Sequence, residues 1–205
     1  MDTPVETTDI RICFVGDSFV NGTGDAACLG WSGRLCAAAH QRGYQVTYYN
    51  LGIRRDTSGD IAARWQDECA RRLPKDCDGR VVFSFGVNDT TIEQGQQRLT
   101  VDATLGNLRA ILQAAQRRYL TLLIGPPPVA DAAHNARIAS LCNAMAAVAR
   151  DLGVPYLPIF AWLMQASSWR REVALYDGSH PRQGGYEELA ALIQAWPVWW
   201  FTVIP

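Results

Sequence analysis

Residues 12–24 read ICFVGDSFVNGTG, an apolar run that stops at Gly16-Asp17-Ser18 and then becomes polar and glycine-rich. A short run of β-branched, aromatic and other apolar residues bounded by glycine predicts a strand that is buried on both faces. A serine is therefore expected where the first strand ends and the chain leaves the buried sheet.

Similar apolar runs recur along the chain and alternate with stretches of helical spacing. The predicted strands cover residues 10–15, 46–50, 81–85, 120–124 and 154–157. The predicted helices cover residues 31–41, 58–72, 102–118, 132–151 and 185–195. This alternation predicts an α/β fold, a three-layer α/β/α sandwich around a five-stranded parallel sheet. At 205 residues, we expect one domain spanning residues 1–205.

The composition argues against several classes of protein. Apolar residues make up 48% of the chain and charged residues 19%, which is typical of a folded globular domain. The formal net charge is −1 and arginines are scattered in pairs, so we expect no nucleic-acid partner. The opening MDTPVETTDI lacks the features of a signal peptide, which favours a cytoplasmic location. No run approaches the roughly 18 apolar residues of a membrane-spanning helix.

The six cysteines form no Cys-x-x-Cys pair. A chain of this size builds its own core and does not depend on disulfides. We therefore expect free thiols that pack as small apolar groups.

The carboxyl ends of the predicted strands indicate where a ligand binds. In open α/β sheets, ligands bind in the crevice outside these ends. The segments that follow the first four strands contain small, polar or rigid residues: Gly16-Asp17-Ser18, Leu51-Gly52, Gly86-Val87-Asn88-Asp89 and Gly125-Pro126-Pro127-Pro128.

Ser18 needs a base to become a nucleophile, and that base is usually a histidine oriented by a carboxylate. His40 and His134 have no distinctive polar surroundings in the sequence, so we expect both at the surface. His180 follows Asp177 by three residues in the turn-rich segment YDGSHPRQGGY. One loop would present both side chains, although the alternative, a simple turn before Pro181, stays open.

Acyl transfer also requires hydrogen-bond donors for the oxyanion, and three groups suit this role. Gly52 lets the backbone approach a ligand closely, the Asn88 amide donates, and Ser18 contributes its own N–H. Each has a simpler alternative, since Gly52 is also a turn residue and Asn88-Asp89 is also a helix-capping pair.

Taken together, four motifs resemble the blocks of the SGNH hydrolases, also called GDSL esterases and lipases. The blocks are Gly16-Asp17-Ser18-Phe19, Asn50-Leu51-Gly52, Gly86-Val87-Asn88-Asp89 and Asp177-Gly178-Ser179-His180-Pro181, in the family's order. The resemblance implies the flavodoxin-like SGNH fold, with Ser18 as nucleophile, His180 as base and Asp177 as its partner. It also implies an oxyanion hole of Ser18, Gly52 and Asn88, and no metal or organic cofactor. Phe19 departs from the commoner leucine.

Two other interpretations are weaker. Residues 22–27 fit the loose G-x-G-x-x-A pattern of a dinucleotide-binding loop, but no acidic residue ends the second predicted strand. A binding module without catalysis would not require Ser18, Asp177 and His180 together. No G-x-S-x-G elbow is present, which argues against the α/β-hydrolase fold.

The substrate is less well determined than the chemistry. We expect a small carboxylic ester with a short to medium acyl chain, with a thioester or a carbohydrate acetyl ester as alternatives. Four apolar side chains are candidates for an acyl pocket, or else for the core: Val129, Trp162, Met164 and Trp169. The aromatic segment AWPVWWFTVIP is expected to pack on its own domain, with a homodimer contact as the second interpretation and lipid as a third.

Overall fold

The computed structural model describes residues 8–201. The strands are β1 (Ile10–Gly16), β2 (Val46–Gly52), β3 (Asp78–Ser84), β4 (Ile92–Glu93), β5 (Gln96–Gln97), β6 (Leu120–Ile124) and β7 (Tyr156–Leu157). The helices are α1 (Ser18–Asn21), α2 (Gly30–Gln41), α3 (Ser58–Arg72), α4 (Val101–Gln116), α5 (Ala132–Leu152), α6 (Phe160–Leu163), α7 (Ser167–Leu175) and α8 (Gln183–Gln194).

The main sheet has five parallel strands in the order β2-β1-β3-β6-β7, which is the flavodoxin-like order. Alternate residues of β1 point to opposite faces: Ile12 and Phe14 enter one apolar core, and Cys13 and Val15 enter the other. Helices α2, α7 and α8 cover the first face, whereas α3 and α4 cover the second. The predicted three-layer α/β/α sandwich is therefore confirmed.

Local signals set several element ends where they were predicted. Helix α3 begins after Thr57, whose side chain and that of Asp60 form a reciprocal capping box. Helix α5 begins after Asp131, which accepts a hydrogen bond from the His134 N–H, and ends at Gly153 in the left-handed conformation.

Other elements differ from the prediction. Strand β3 begins at Asp78, because the polar residues 78–80 also pair with residues 10–12 of β1. Strand β7 has only two residues, since Pro155 and Pro158 flank it and proline cannot donate to a sheet. The prediction also lacked α1, α6, α7 and the β4–β5 hairpin.

The aromatic C-terminal segment packs on its own domain as far as it is described. Trp199 and Phe201 are buried in the core beside Phe14, and Arg42 donates to the Phe201 carbonyl at 2.6 Å. Residues 202–205 lie outside the described residues, and a homodimer contact through this segment stays a prediction.

The six cysteines are unpaired, as predicted. Four are buried, whereas Cys28 is exposed and Cys77 is half-buried, so the packing expectation holds for four of them. Within residues 8–201, no helix combines the length and apolarity needed to cross a bilayer.

Candidate active site

Ser18 lies at the abrupt change from β1 to α1. A side chain at Gly16 would collide with the Ser84 carbonyl of the neighbouring strand, so glycine is needed where β1 ends. Asp17 then caps the short helix by accepting a hydrogen bond from the Phe19 N–H at 2.9 Å. The strand therefore ends two residues before the serine, which becomes the first residue of α1.

The structure brings Ser18, His180 and Asp177 together. The Ser18 Oγ lies 2.7 Å from His180 Nε2, and His180 Nδ1 lies 2.7 Å from Asp177 Oδ2. The other carboxylate oxygen, Asp177 Oδ1, accepts the backbone N–H groups of Ser179 and His180 at 2.9 and 2.7 Å. The loop is thus ordered around the carboxylate, and the segment is more than a simple turn before Pro181.

The electrostatics of Asp177 favour its charged form. Its partial burial on its own raises the pKa, but the hydrogen bonds from the His180 backbone, the imidazole and Ser179 together lower the pKa below its ordinary value. An ionised carboxylate is therefore available to hold the imidazole and to stabilise a positive charge on it.

Gly52 also lies next to the Ser18 turn. A side chain at Gly52 would collide with the backbone of Asn21 and would approach the Asp17 carbonyl at 2.7 Å, so α1 packs directly on this glycine. Its N–H donates to Asn50 Oδ1 at 3.0 Å. The predicted oxyanion donor is therefore close to Ser18 but is paired within the protein.

Asn88 approaches the same turn from the end of β3. Its Nδ2 donates to the Asp56 carbonyl at 2.9 Å and to Asp17 Oδ2 at 3.3 Å. Asp89, its neighbour, is fully buried and accepts from the Ser58 N–H and the Thr104 hydroxyl at 3.1 and 3.0 Å. The alternative of an Asn88-Asp89 capping pair is thus correct for Asp89 alone. Asp89 caps α3, which lies about 30 residues earlier in the chain.

Asp17 is a further residue of the site, beyond the five that were predicted from the sequence. It is buried beside both Phe19 and Asn88, and its burial raises its pKa to about 7, helped by the negative charges of Asp89 and Asp56. An Asp-Ser pair after a predicted strand is a capping signal from which its local role could have been predicted. Its contact with Asn88 depends on tertiary packing.

The other two histidines lie elsewhere. His40 is exposed, as predicted, and its Nε2 contacts the Val46 carbonyl at 2.8 Å. His134 was predicted at the surface, and this was wrong. It is half-buried, because α5 starts against the segment after β3, where its Nε2 lies 3.0 Å from Thr90 Oγ1. Burial lowers the His134 pKa.

A cavity of about 640 Å³ lies beside the His180 loop. Val129, Met164 and Trp169 line it, and Val129 and Trp169 also belong to the buried core, the alternative expected for them. Trp162 is 45% exposed and does not line the cavity. None of the five predicted site residues lines the cavity. Two contacts connect it to the site: the Ala130 N–H donates to the Gly178 carbonyl at 2.8 Å, and the Trp169 ring stacks on Phe19.

Phe19 and Asn135 shape the region between cavity and loop. The Phe19 ring lies 4.9 Å from the His180 imidazole and 6.2 Å from the Trp169 ring, measured between centroids. The Asn135 amide pairs with both backbone polar groups of Val129 and fixes that part of the cavity wall. In the described part of the chain, no group of three or more metal-ligating side chains is arranged to hold an ion.

The chain is similar to known proteins over most of its length. A model of the GDSL-like Lipase/Acylhydrolase family matches residues 14–188. No curated protein matches the chain significantly by sequence.

Solved structures of similar fold were also found. A lipase/acylhydrolase from Enterococcus faecalis is 26% identical, with a TM-score of 0.73 over 90% of this chain and 93% of that one. Axe2, an acetylxylan esterase from Geobacillus stearothermophilus, is 15% identical, with a TM-score of 0.74 over 92% and 94% of the two chains. TesA is 23% identical, with a TM-score of 0.73 over 89% and 95%.

Proposed function

The chain belongs to the GDSL-like lipase/acylhydrolase family of ester hydrolases, and we propose that it cleaves small carboxylic esters through an acyl-Ser18 intermediate. One observation carries this proposal: the two consecutive 2.7 Å hydrogen bonds from Ser18 through His180 to Asp177. A serine hydroxyl becomes nucleophilic when an adjacent imidazole takes its proton and a carboxylate holds that imidazole.

In the acylation step, Ser18 Oγ attacks the carbonyl carbon of the ester while its proton passes to His180 Nε2. Asp177 stabilises the imidazolium through its contact with Nδ1. When the tetrahedral intermediate collapses, the ester C–O bond breaks and His180 gives the proton to the leaving alcohol. Water then attacks the acyl-enzyme by the same route, which releases the carboxylic acid and restores Ser18.

The negative charge that forms on the carbonyl oxygen needs donors, and we assign this role to Ser18 N–H, Gly52 N–H and Asn88 Nδ2. The proximity of all three segments to Asp17 supports the assignment. Because Gly52 and Asn88 have protein acceptors in the free protein, the oxyanion would replace or share Asn50 Oδ1 and the Asp56 carbonyl. A charged acceptor forms stronger hydrogen bonds than these neutral ones.

The 640 Å³ cavity beside the His180 loop is the proposed site for the acyl chain. Its walls include the apolar side chains of Val129, Met164 and Val173. Ala130, which also lines the cavity, donates to the Gly178 carbonyl and so places the cavity next to the His180 loop. An acetyl group does not need a cavity of this size, so the cavity favours short to medium acyl chains over a carbohydrate acetyl ester. A thioester stays an alternative, because the same chemistry cleaves it.

Three further expectations belong to the proposal. Residues 1–205 form one domain, the protein is cytoplasmic, and it needs no metal or organic cofactor. The layered core around one sheet supports the first of these.

Fluorophosphonate labelling followed by intact mass and peptide mapping tests the proposal. We expect one adduct, on Ser18, which disappears in Ser18→Ala. Ser179→Ala, in the His180 loop, is the matched control and should keep the adduct. Steady-state assays with p-nitrophenyl acetate, butyrate and octanoate, and with a matched thioester, then measure the preferred acyl group.

No adduct on correctly folded wild-type protein would contradict the proposal and favour a binding module without catalysis. An adduct with turnover of the thioester alone would replace the ester by a thioester and keep the mechanism.

A further inference from the structure

Arg64, on α3, lies behind the candidate site and does not contact Ser18, His180 or Asp177 directly. Its side chain is 17% exposed, and its guanidinium faces two carboxylates. Nε donates to Asp56 Oδ2 at 2.7 Å, and Nη1 donates to Glu68 Oε1 at 3.1 Å. The positive charge is therefore compensated locally.

The remaining nitrogen connects two strands. Arg64 Nη2 donates to the carbonyls of Gly16 and Leu51, both at 3.0 Å. Gly16 is the last residue of β1, two residues before Ser18, and Leu51 directly precedes Gly52 in β2. One guanidinium group thus links the ends of the two neighbouring strands that lead into two of the proposed oxyanion donors.

The same side chain reaches the third donor through Asp56. Arg64 binds the Asp56 carboxylate, and the Asp56 carbonyl accepts the Asn88 amide at 2.9 Å. Ser18, Gly52 and Asn88 lie on three separate segments of the chain. Arg64 donates to carbonyls close to Ser18 and Gly52 in the chain, and it reaches Asn88 through Asp56.

We infer that Arg64 is a positioning residue that fixes the three oxyanion donors relative to one another, an inference that rests on the proposed function. Stabilisation of an oxyanion depends on donors that are fixed before the charge forms. A displacement of about 1 Å at a reacting centre can cost about 100-fold in rate. The planar guanidinium serves several acceptors in fixed directions, which the single ammonium of lysine cannot reproduce.

The test compares Arg64→Lys and Arg64→Met with the wild-type protein in hydrolysis of p-nitrophenyl butyrate. We expect kcat to fall about 10-fold in Arg64→Lys and about 100-fold in Arg64→Met, with KM within about twofold. Arg72→Met is the matched control, because Arg72 is on the same helix and also donates to a backbone carbonyl, that of Glu68, away from the strand ends. It should keep the wild-type kcat.

A double-mutant comparison separates positioning from a general loss of stability. If Arg64 acts through the donors, Arg64→Lys should reduce kcat by a smaller factor in an Asn88→Ala background than in wild type. We expect the two factors to differ at least about threefold. Circular dichroism and thermal unfolding establish that each assayed variant is folded, and Arg64→Lys keeps the charge should Arg64→Met fail to fold.

Two results would overturn the inference: a kcat of Arg64→Lys equal to that of wild type, or the same fold-loss in both backgrounds. Failure of the proposed function is a separate result, since it appears in the wild-type protein as the absence of both turnover and the Ser18 adduct.

Discussion

Glu172 and Glu188 lie on neighbouring helices, and each carboxylate caps the helix that carries the other residue. Glu172, on α7, accepts hydrogen bonds from the Arg182, Gly184 and Gly185 N–H groups at the start of α8. Glu188, on α8, accepts from the Ser168 and Trp169 N–H groups at the start of α7. Neither helix has a side-chain cap of its own, so each carboxylate supplies the acceptors that the other helix lacks.

Glu172→Ala should lower the free energy of unfolding by about 1–2 kcal/mol, because three N–H groups lose their acceptor. It should also lower kcat, since α8 begins three residues after His180. Urea unfolding and ester turnover at low temperature measure both effects. Glu187→Ala, which removes an exposed carboxylate from α8, the helix that Glu172 caps, is the control and should change stability by less than about 0.5 kcal/mol. Equal stability of the two variants would contradict the capping role.

Asn88→Ala should reduce kcat by roughly 100- to 1,000-fold if its amide donates to the oxyanion. The matched control is Asn107→Ala, which removes an amide that donates to Ser58 Oγ at 3.0 Å and contacts none of the proposed oxyanion donors. Steady-state kinetics on a p-nitrophenyl ester measures the difference. A loss below about threefold would remove Asn88 from the site.

The buried Asp17 carboxyl should make stability depend on pH. Its burial raises the pKa from 3.8 to about 7. Between these values the unfolded chain releases this proton and the folded chain keeps it, so ionisation favours unfolding. The contribution of Asp17 to stability is complete below pH 3.8 and is lost as the pH rises towards about 7, at a slope of at most about 1.4 kcal/mol per pH unit.

Asp17→Asn removes this pH-dependent contribution to the free energy of unfolding. The stability of wild type relative to the variant should therefore fall as the pH rises from 4.5 to 7.5. Urea unfolding at intervals across this range measures it. Asp67→Asn, at an exposed position, controls for the change in net charge. Parallel stability curves for wild type and Asp17→Asn would show that Asp17 does not titrate in this range.

Filling the cavity should change the acyl preference and leave the chemistry intact. Ala174 lines the cavity from α7, so Ala174→Trp should lower kcat/KM for p-nitrophenyl octanoate at least about 10-fold and for the acetate by less than about twofold. Leu175→Trp is the control, because Leu175 is 80% exposed and does not line the cavity. An equal loss on both esters would place the acyl chain elsewhere.

The parts of the fold and site that follow from short segments were predictable. Helix α3 and strand β6 have the predicted bounds, because a capping box and an apolar run of β-strand composition mark them locally. Ser18 and His180 come together because parallel strands present their carboxyl ends at one edge, which topology alone dictates.

The parts that depend on packing between distant segments were not predictable. The sequence of α3 does not indicate that Arg64 reaches the carbonyls of Gly16 and Leu51, because that contact depends on how the helix packs on the sheet. The half-buried position of His134 likewise follows from how α5 meets Thr90. Helix α7 draws its cap from Glu188, so its own sequence carries no start signal.

The packing of Phe14 against Trp199 also has a consequence for folding during translation. During translation, β1 leaves the ribosome before the other strands, yet the ring of Phe14 acquires this cover only when the last described residues are synthesised. A growing chain therefore carries an incomplete apolar face throughout synthesis. Exposed apolar surface of this kind promotes aggregation, so nascent chains that stall before Trp199 should aggregate more readily than the complete chain.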